Sequence, residues 1–296
     1  MTESDQWLEL QHLLDLQNQD GGWSYGVGGS WTEPTCYALM ALAAAGQVGS
    51  EPARRAAQWL AVRQRSDGGW SPRDTVPEST WVTSLLLLLP EGVVSRTQAD
   101  RALAWLVAQT GRESGIIYRL RMRLLVGHLD PQQQYDGWPW YPDAAAWVAP
   151  TSLSILALRK KARAADARTR ERIDQRITQG QRYLLARRCR DGGWNHGSSK
   201  ALGYDSDSYP ETTGVALLAL NDSTAPELAT AESLAERQLA AGKSCEGASW
   251  LRLALLARGR RPAGSATPRH PRTLELAMAL LAGAAENGRN VFLERA

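Results

Sequence analysis

The chain has 296 residues, 43% of them hydrophobic, so it is long enough to bury a sizeable core. Its formal net charge of +3 is too small to predict binding to nucleic acid. Three widely separated cysteines argue against a disulfide framework and a structural zinc site. Tryptophan occurs 12 times and phenylalanine once, which indicates a specific role for the indole ring.

The N-terminal segment carries acidic residues where a secretory signal peptide needs basic ones. The longest apolar run, "LLLLLP" after Trp81, is too short to span a bilayer. We therefore expect a cytoplasmic protein, with peripheral membrane contact as an alternative. That alternative concerns the basic segment 159–176, which is otherwise expected to form a solvated helix face.

A repeated motif punctuates the chain. It closes as Asp-Gly-Gly-Trp at Trp23, Trp70 and Trp194, as a shorter "DGWPW" at Trp138, and as a fainter copy at Trp250. A period of about fifty residues corresponds to two helices with their loops. An amphipathic helix precedes the motif, because apolar residues recur there at three- and four-residue spacing, and the glycines end that helix.

The second helix of each repeat is apolar almost all round, which predicts burial on every side. Amphipathic outer helices are predicted to start near residues 4, 51, 97, 170, 226 and 272, and apolar inner helices near 33, 78, 115, 150, 211 and 247. Alternation fails once, because the helices near 115 and 150 both look inner. The pattern predicts an all-α fold, a single-domain α/α toroid over residues 1–296 with about six outer and six inner helices.

The motif resembles the Q-x-x-x-G-x-W repeat of squalene–hopene cyclases. The matching residues are Gln17, Gly21 and Trp23 in the first copy and Gln64, Gly68 and Trp70 in the second. Arg188 replaces the glutamine in the Trp194 copy. The helix starts "EPTCYALMAL" and "ETTGVALLAL" also resemble protein prenyltransferase β subunits. The resemblance covers roughly the whole chain and implies the terpenoid cyclase and protein prenyltransferase α/α-toroid superfamily.

In that family the repeat is understood as a brace, in which the glutamine bonds a neighbouring helix and stacks on the tryptophan. Indole offers a flat face and one N–H donor, so the residue types suit this role. We therefore predict that Trp23, Trp70 and Trp194 are structural rather than catalytic.

The resemblance also implies a catalytic acid, because cyclases of this family protonate an alkene or epoxide with the middle aspartate of D-x-D-D. Here the matching helix start reads Y-P-E-T-T, and Glu211 stands at the position of the acid. Asp205 and Asp207 lie just upstream, so these three residues are the predicted catalytic carboxyls. The alternative for Glu211 is a first-turn acid that serves the helix dipole, because Glu33 and Glu78 occupy equivalent helix starts.

A prenyltransferase-like zinc site is not expected. Cys36 aligns with the cysteine ligand of those enzymes, but the matching histidine and aspartate are missing. No metal and no cofactor are predicted.

The remaining candidates are loop side chains that precede inner helices and could line a central cavity. The predicted substrate-binding residues are Trp31, Trp138, Trp140, Trp147, Tyr204, Tyr209 and His196. Aromatic faces stabilise cations and pack against apolar chains. The resemblance implies an isoprenoid (terpenoid) cyclase- or prenyltransferase-like protein that binds a hydrophobic isoprenoid and, if active, works by carboxylic acid protonation. The alternatives are a non-catalytic toroid that binds a lipid or protein partner, and a carbohydrate-active toroid enzyme.

Overall fold

A computed structural model describes residues 3–115, 118, 120, 124–125, 134–198, 200–201, 204–242, 244–262 and 272–293. Its α-helices are α1 (Glu3–Asp15), α2 (Thr32–Ala44), α3 (Glu51–Ala61), α4 (Thr83–Leu88), α5 (Arg96–Ala108), α6 (Val148–Ala162), α7 (Ala167–Ala186), α8 (Pro210–Ala219), α9 (Leu228–Ala241), α10 (Cys245–Ala257) and α11 (Thr273–Glu286). A 3-10 turn covers Arg112–Ser114. The predicted all-α class is confirmed apart from one short antiparallel pair, β1 (Lys200–Ala201) and β2 (Tyr204–Asp205).

Six apolar helices form a closed inner ring. In ring order they are α2, α4, α6, α8, α10 and α11, each packed on the next, and α11 closes the ring against α2. The amphipathic helices α1, α3, α5, α7 and α9 pack outside it. The inner helices are buried on nearly all sides, as their apolar sequences predict, and they share one continuous hydrophobic core. The α/α toroid is therefore the observed architecture.

Two details differ from the sequence prediction. The helix that starts near residue 272 was predicted to be outer, but α11 is buried all round and belongs to the inner ring. Its sequence "TLELAMALLAGAAE" is apolar enough for that position. The prediction was wrong because it assumed that outer and inner helices alternate strictly along the chain. The predicted inner helix near 115 lies largely outside the described residues. Of that segment, Leu120, Leu124 and Leu125 are described and exposed, which does not suit an inner helix.

The repeat tryptophans are braces, as predicted. Trp23 is completely buried, its indole N–H donates to the Leu13 carbonyl at 2.8 Å, and its backbone N–H donates to Thr35 Oγ1 at 2.8 Å. The indole bond thus reaches the preceding outer helix and the backbone bond reaches the following inner helix. The same pair of bonds recurs at Trp70 with Leu60 and Thr83, at Trp138 with Leu106 and Thr151, and at Trp194 with Leu184 and Thr213.

The motif glutamines join one repeat to the next. Gln17 Nε2 donates to the Gly21 carbonyl at 2.8 Å and to the Pro52 carbonyl, in the first turn of α3, at 2.9 Å. Gly21 has φ of +95°, and a Cβ there would lie 2.9 Å from the Arg55 carbonyl oxygen, so only glycine fits without strain. Gln64 makes the same bridge toward α5.

The basic segment 159–176 is less solvated than predicted. Arg159 donates to the Ala219 carbonyl at 2.6 Å, and Lys160 Nζ donates to the Leu88 carbonyl at 2.7 Å. Both contacts satisfy carbonyls at the ends of neighbouring inner helices. Several cations of this run therefore stabilise the toroid itself. No helix of the described part of the chain is long and apolar enough to cross a membrane.

Candidate functional site

The inner helices begin at one face of the toroid, which we call the mouth. Three backbone hydrogen bonds link the loops there. Thr32 N–H donates to the Pro72 carbonyl at 2.9 Å, and Trp81 N–H donates to the Trp140 carbonyl at 3.0 Å. In addition, Val148 N–H donates to the His196 carbonyl at 2.9 Å. Each bond joins the start of one inner helix to the loop before the next, so the loops overlap around the mouth.

Five rings line up along these loops. We call them the aromatic arc: Trp81, Trp140, Trp147, His196 and Tyr209. The centroids of Trp81 and Trp140 are 4.9 Å apart with their planes at 87°, an edge-to-face pair. The following centroid separations along the arc are 6.4, 6.5 and 5.2 Å. Trp147 is 36% exposed and Tyr209 is 48% exposed, so the arc presents ring surface to solvent.

The structure thus brings together four of the predicted substrate-binding residues. Trp140, Trp147, His196 and Tyr209 belong to the arc. Trp81 was missed, although it precedes an inner helix as the others do.

A fifth predicted residue, Trp31, belongs to a separate aromatic pair. Trp31 meets Tyr25 edge-to-face at 5.5 Å, and the Arg73 guanidinium lies 4.8 Å from the centroid of a Trp31 ring. Trp31 immediately precedes α2, so this pair also stands at the start of an inner helix. Tyr25 was the second residue that the sequence analysis missed.

The structure places two predicted aromatic residues away from the arc. Trp138 is 1% exposed and acts as a brace, because its ring is enclosed by the core and covered by the Arg176 guanidinium at 3.9 Å. A ring buried in this way has no surface left for a ligand. Tyr204 is 78% exposed in the β1–β2 hairpin.

The mouth has a floor inside the ring. Tyr37 of α2 and Trp250 of α10 are both buried, and their rings meet edge-to-face at 6.1 Å. Because α11 lies between α2 and α10 in the ring, this contact joins two inner helices that are not neighbours. Phe292 also packs on Trp250, with ring centroids 5.1 Å apart. We call Tyr37 and Trp250 the lumen floor.

Three carboxyl groups form what we call the carboxyl layer: Glu33, Glu211 and Glu246. Glu33 and Glu246 each lie four residues before a floor residue, hence on the same helix face and one turn nearer the mouth. Glu211 begins α8, and its Oε1 would lie 3.2 Å from a Cβ added at Gly247, beside Glu246.

Burial shifts the pKa of two members of this layer, Glu33 and Glu246. Burial raises the pKa of Glu33 to about 7; a hydrogen bond donated by the Tyr25 hydroxyl opposes the rise, and the charge of Glu246 adds a smaller one. Burial and the neighbouring Glu211 raise the pKa of Glu246 to about 6. A group with such a pKa is partly protonated near neutral pH, so this layer offers carboxylic O–H donors as well as carboxylates.

The other two predicted catalytic residues lie on the surface. Asp205 ends the β1–β2 hairpin, and one of its carboxylate oxygens is 3.5 Å from the exposed Arg190 guanidinium. Asp207 is exposed as well. Glu33 and Glu246 were missed as functional candidates. The signal for Glu33 was the recurrence of glutamate at helix starts, which was interpreted as service to the helix dipole.

No cluster of three or more histidine, cysteine or acidic side chains suited to a metal ion occurs within the described ranges. Cys36 is completely buried and its neighbour Glu33 adds to the effect of burial, which together raise the pKa of the thiol.

Comparison with known proteins places this architecture. Solved neighbours include the type II terpene cyclase MstE from Scytonema without ligand, at 17% identity over 98% of this chain and 80% of that one, with a TM-score of 0.54. A protein from Actinoplanes matches at 16% identity over 88% and 76%, with a TM-score of 0.53.

The chain shares the α/α-toroid fold of the terpene cyclase MstE.

Sequence similarity to squalene–hopene cyclases covers part of the chain. The model of the squalene–hopene cyclase C-terminal domain matches residues 2–79. The squalene–hopene cyclase of Alicyclobacillus acidocaldarius subsp. acidocaldarius is 53% identical over 45 residues, which is 15% of this chain and 7% of that protein. An MstE variant in complex with geranylgeranyl dihydroxybenzoate matches at 20% identity and a TM-score of 0.54, over 83% of this chain and 65% of its own. This chain therefore spans only part of these relatives.

Proposed function

We propose that this protein binds a hydrophobic isoprenoid at the mouth of the toroid, between the aromatic arc and the carboxyl layer. The observation that carries the proposal is the arc itself, five rings in sequence with exposed faces at the starts of the inner helices. Aromatic faces suit both an apolar chain and a positive charge that develops on it. MstE, which has this fold, was solved with a geranylgeranyl compound as its substrate, and we carry that ligand class over to the present chain.

The proposed reaction is a cyclisation begun by protonation, as in class II terpenoid cyclases. A carboxylic O–H gives its proton to an alkene carbon, where the alkene electron pair forms the new C–H bond, or to an epoxide oxygen, where a lone pair forms the O–H bond and a ring C–O bond breaks. The carboxylate remains on the protein, and the substrate becomes a carbocation that faces the aromatic rings. Loss of a proton from the final cation balances the reaction, so no other reactant is consumed.

The proton donor must be protonated before the reaction and stable as a carboxylate after it, and Glu33 meets both requirements. Burial raises its pKa to about 7, so that part of it is protonated near neutral pH, and the Tyr25 hydroxyl stabilises the carboxylate that remains after proton transfer. Glu246 and Glu211 are the neighbouring carboxyls of the same layer. Asp205 and Asp207 remain candidates from the family resemblance, and the experiment below includes them.

The test is incubation with linear isoprenoids, namely squalene, geranylgeraniol and their epoxides, followed by analysis for cyclic products. We expect turnover that falls at least a hundredfold in Glu33→Gln and persists in Glu78→Gln. Glu78 is an exposed glutamate in the loop before α4, so it serves as a control for loss of a glutamate near an inner helix start. Loss in Asp205→Asn or Asp207→Asn with full activity in Glu33→Gln would transfer the acid to the hairpin.

A second outcome separates binding from catalysis. Saturable isoprenoid binding without any product would favour the non-catalytic lipid-binding toroid, the alternative suggested by the replacement of D-x-D-D with Y-P-E-T-T. Absence of both binding and turnover with every isoprenoid would refute the proposed function.

A further inference from the structure

A cavity opens at the end of the toroid opposite the mouth. It has a volume of about 460 Å³ and lies where α4 and α6 finish and α5 begins. Its apolar wall consists of Leu86, Leu89, Pro90, Val94, Ala99, Leu103, Ala164 and Ala165. This volume lies within the range of about 300–1,000 Å³ that is typical of small-molecule sites. The mouth, by contrast, is formed by the starts of the inner helices, so the two regions are separate.

Lys161 is the partly buried cation among the described residues that line this cavity. Its side chain is partly buried, and it forms no hydrogen bond or ion pair with any residue that the structure describes. Its neighbours in the same basic run are engaged, because Arg159 and Lys160 bond the carbonyl ends of inner helices.

The charges around Lys161 are arranged unevenly. Glu91, Arg96 and Asp100 also line the cavity, but all three are exposed and therefore lie toward solvent. Burial lowers the pKa of Lys161, whereas the charges of Glu91 and Asp100 act in the opposite direction. A partly desolvated ammonium group beside an apolar wall gains most from an anion that arrives with an apolar chain.

We propose that this cavity binds a small amphiphile with one anionic headgroup, the headgroup paired with Lys161 and the chain packed on the apolar wall. The site is independent of the isoprenoid site at the mouth. The same chemistry is offered by a fatty acid carboxylate and by a prenyl monophosphate, so both enter the test.

The experiment is calorimetric titration of the full chain with dodecanoate, geranyl monophosphate and dodecanol. We expect saturable binding of at least one anion and at least tenfold weaker binding of the alcohol. Lys161→Met should weaken the anion at least tenfold and leave the alcohol unchanged, and Lys161→Arg should retain binding. Arg163→Met is the matched control, because Arg163 follows on the same helix but is exposed.

The anion that binds more tightly identifies the source of the ligand. A filling substitution, Ala99→Leu, should abolish binding of every ligand, and thermal melts of all variants must match the wild type within a few degrees. Equal anion affinity in wild type and Lys161→Met, or no saturable binding of either anion, would overturn the proposal. These outcomes are distinct from those at the mouth, because Glu33→Gln should leave this binding unchanged.

Discussion

The Tyr25 hydroxyl donates a hydrogen bond to the Glu33 carboxyl at the start of an inner helix, one turn from the lumen floor. The two residues are not neighbours on one helix, because Tyr25 lies in the loop before α2 and Glu33 lies in the first turn of α2. Burial of this pair raises the pKa of Glu33 to about 7 and raises the pKa of Tyr25 well above its ordinary value. The phenol therefore remains a donor at every physiological pH, while the carboxyl changes its charge.

Removal of this donor should shift the titration of Glu33. Because the hydrogen bond from Tyr25 lowers the pKa of Glu33, Tyr25→Phe should raise that pKa above about 7. Carbon-13 NMR of labelled glutamate side chains measures both values, and Glu33→Gln assigns the signal. An unchanged titration in Tyr25→Phe would show that the hydroxyl does not stabilise the carboxylate.

Glu9 should make the protein less stable at alkaline pH. It is buried on α1, and neither carboxyl oxygen has a hydrogen-bond partner among the residues that the structure describes. Burial, followed by the charge of Asp5, raises its pKa to about 7. The folded pKa exceeds the unfolded one, so the stabilisation is complete below the ordinary pKa of 4.5 and is lost as pH rises through about 7.

Glu9→Gln removes this charge. We expect it to raise the free energy of unfolding by about 2 kcal/mol at pH 8 relative to the wild type, an advantage that disappears at pH 4.5. Urea unfolding at the two pH values measures it, with the exposed Glu236→Gln as a control. An advantage of equal size at both pH values would attribute the effect to packing rather than to ionisation.

The brace role of the repeat predicts a graded loss of stability. Trp70→Ala should reduce the free energy of unfolding by about 3–5 kcal/mol, as for a large aromatic residue in a core. Gln64→Ala should reduce it by about 1 kcal/mol, because it removes hydrogen bonds to the Gln98 and Gly68 carbonyls without opening the core. Urea unfolding measures both, and isoprenoid binding by the folded Gln64→Ala variant should be unchanged. Full stability of Trp70→Ala together with lost binding would contradict the structural role.

The ring of helices was accessible from sequence because its signals are local. Apolar periodicity, helix-stopping glycines and buried tryptophans at regular intervals determine each hairpin without knowledge of the others. The exception is α11. Its residues are apolar enough for an inner helix, but it was predicted to be outer because outer and inner helices were assumed to alternate. Trp138 and Trp140 belong to the same motif, and the structure separates them because only Trp138 donates its backbone N–H to Thr151.

The carboxyl layer was not accessible in the same way. From the sequence, Glu33 and Glu78 look equivalent, but Glu33 lies in the first turn of α2, whereas Glu78 is exposed in the loop before α4. The pKa of Glu33 depends on residues remote along the chain, because Tyr25 donates a hydrogen bond to it and Glu246 lies near it. A pKa that depends on tertiary neighbours cannot be inferred from a helix-start pattern.

Binding of an isoprenoid at the mouth is the central claim, and equilibrium binding of radiolabelled geranylgeraniol tests it most directly. Trp147→Ala removes an exposed ring from the middle of the aromatic arc, whereas Trp7→Ala removes a 60% exposed ring from α1, outside the arc. We predict saturable binding at one site, weakened about tenfold by Trp147→Ala, equivalent to about 1.4 kcal/mol, and unaffected by Trp7→Ala. Binding that is absent, or that Trp147→Ala leaves unchanged, would contradict the account.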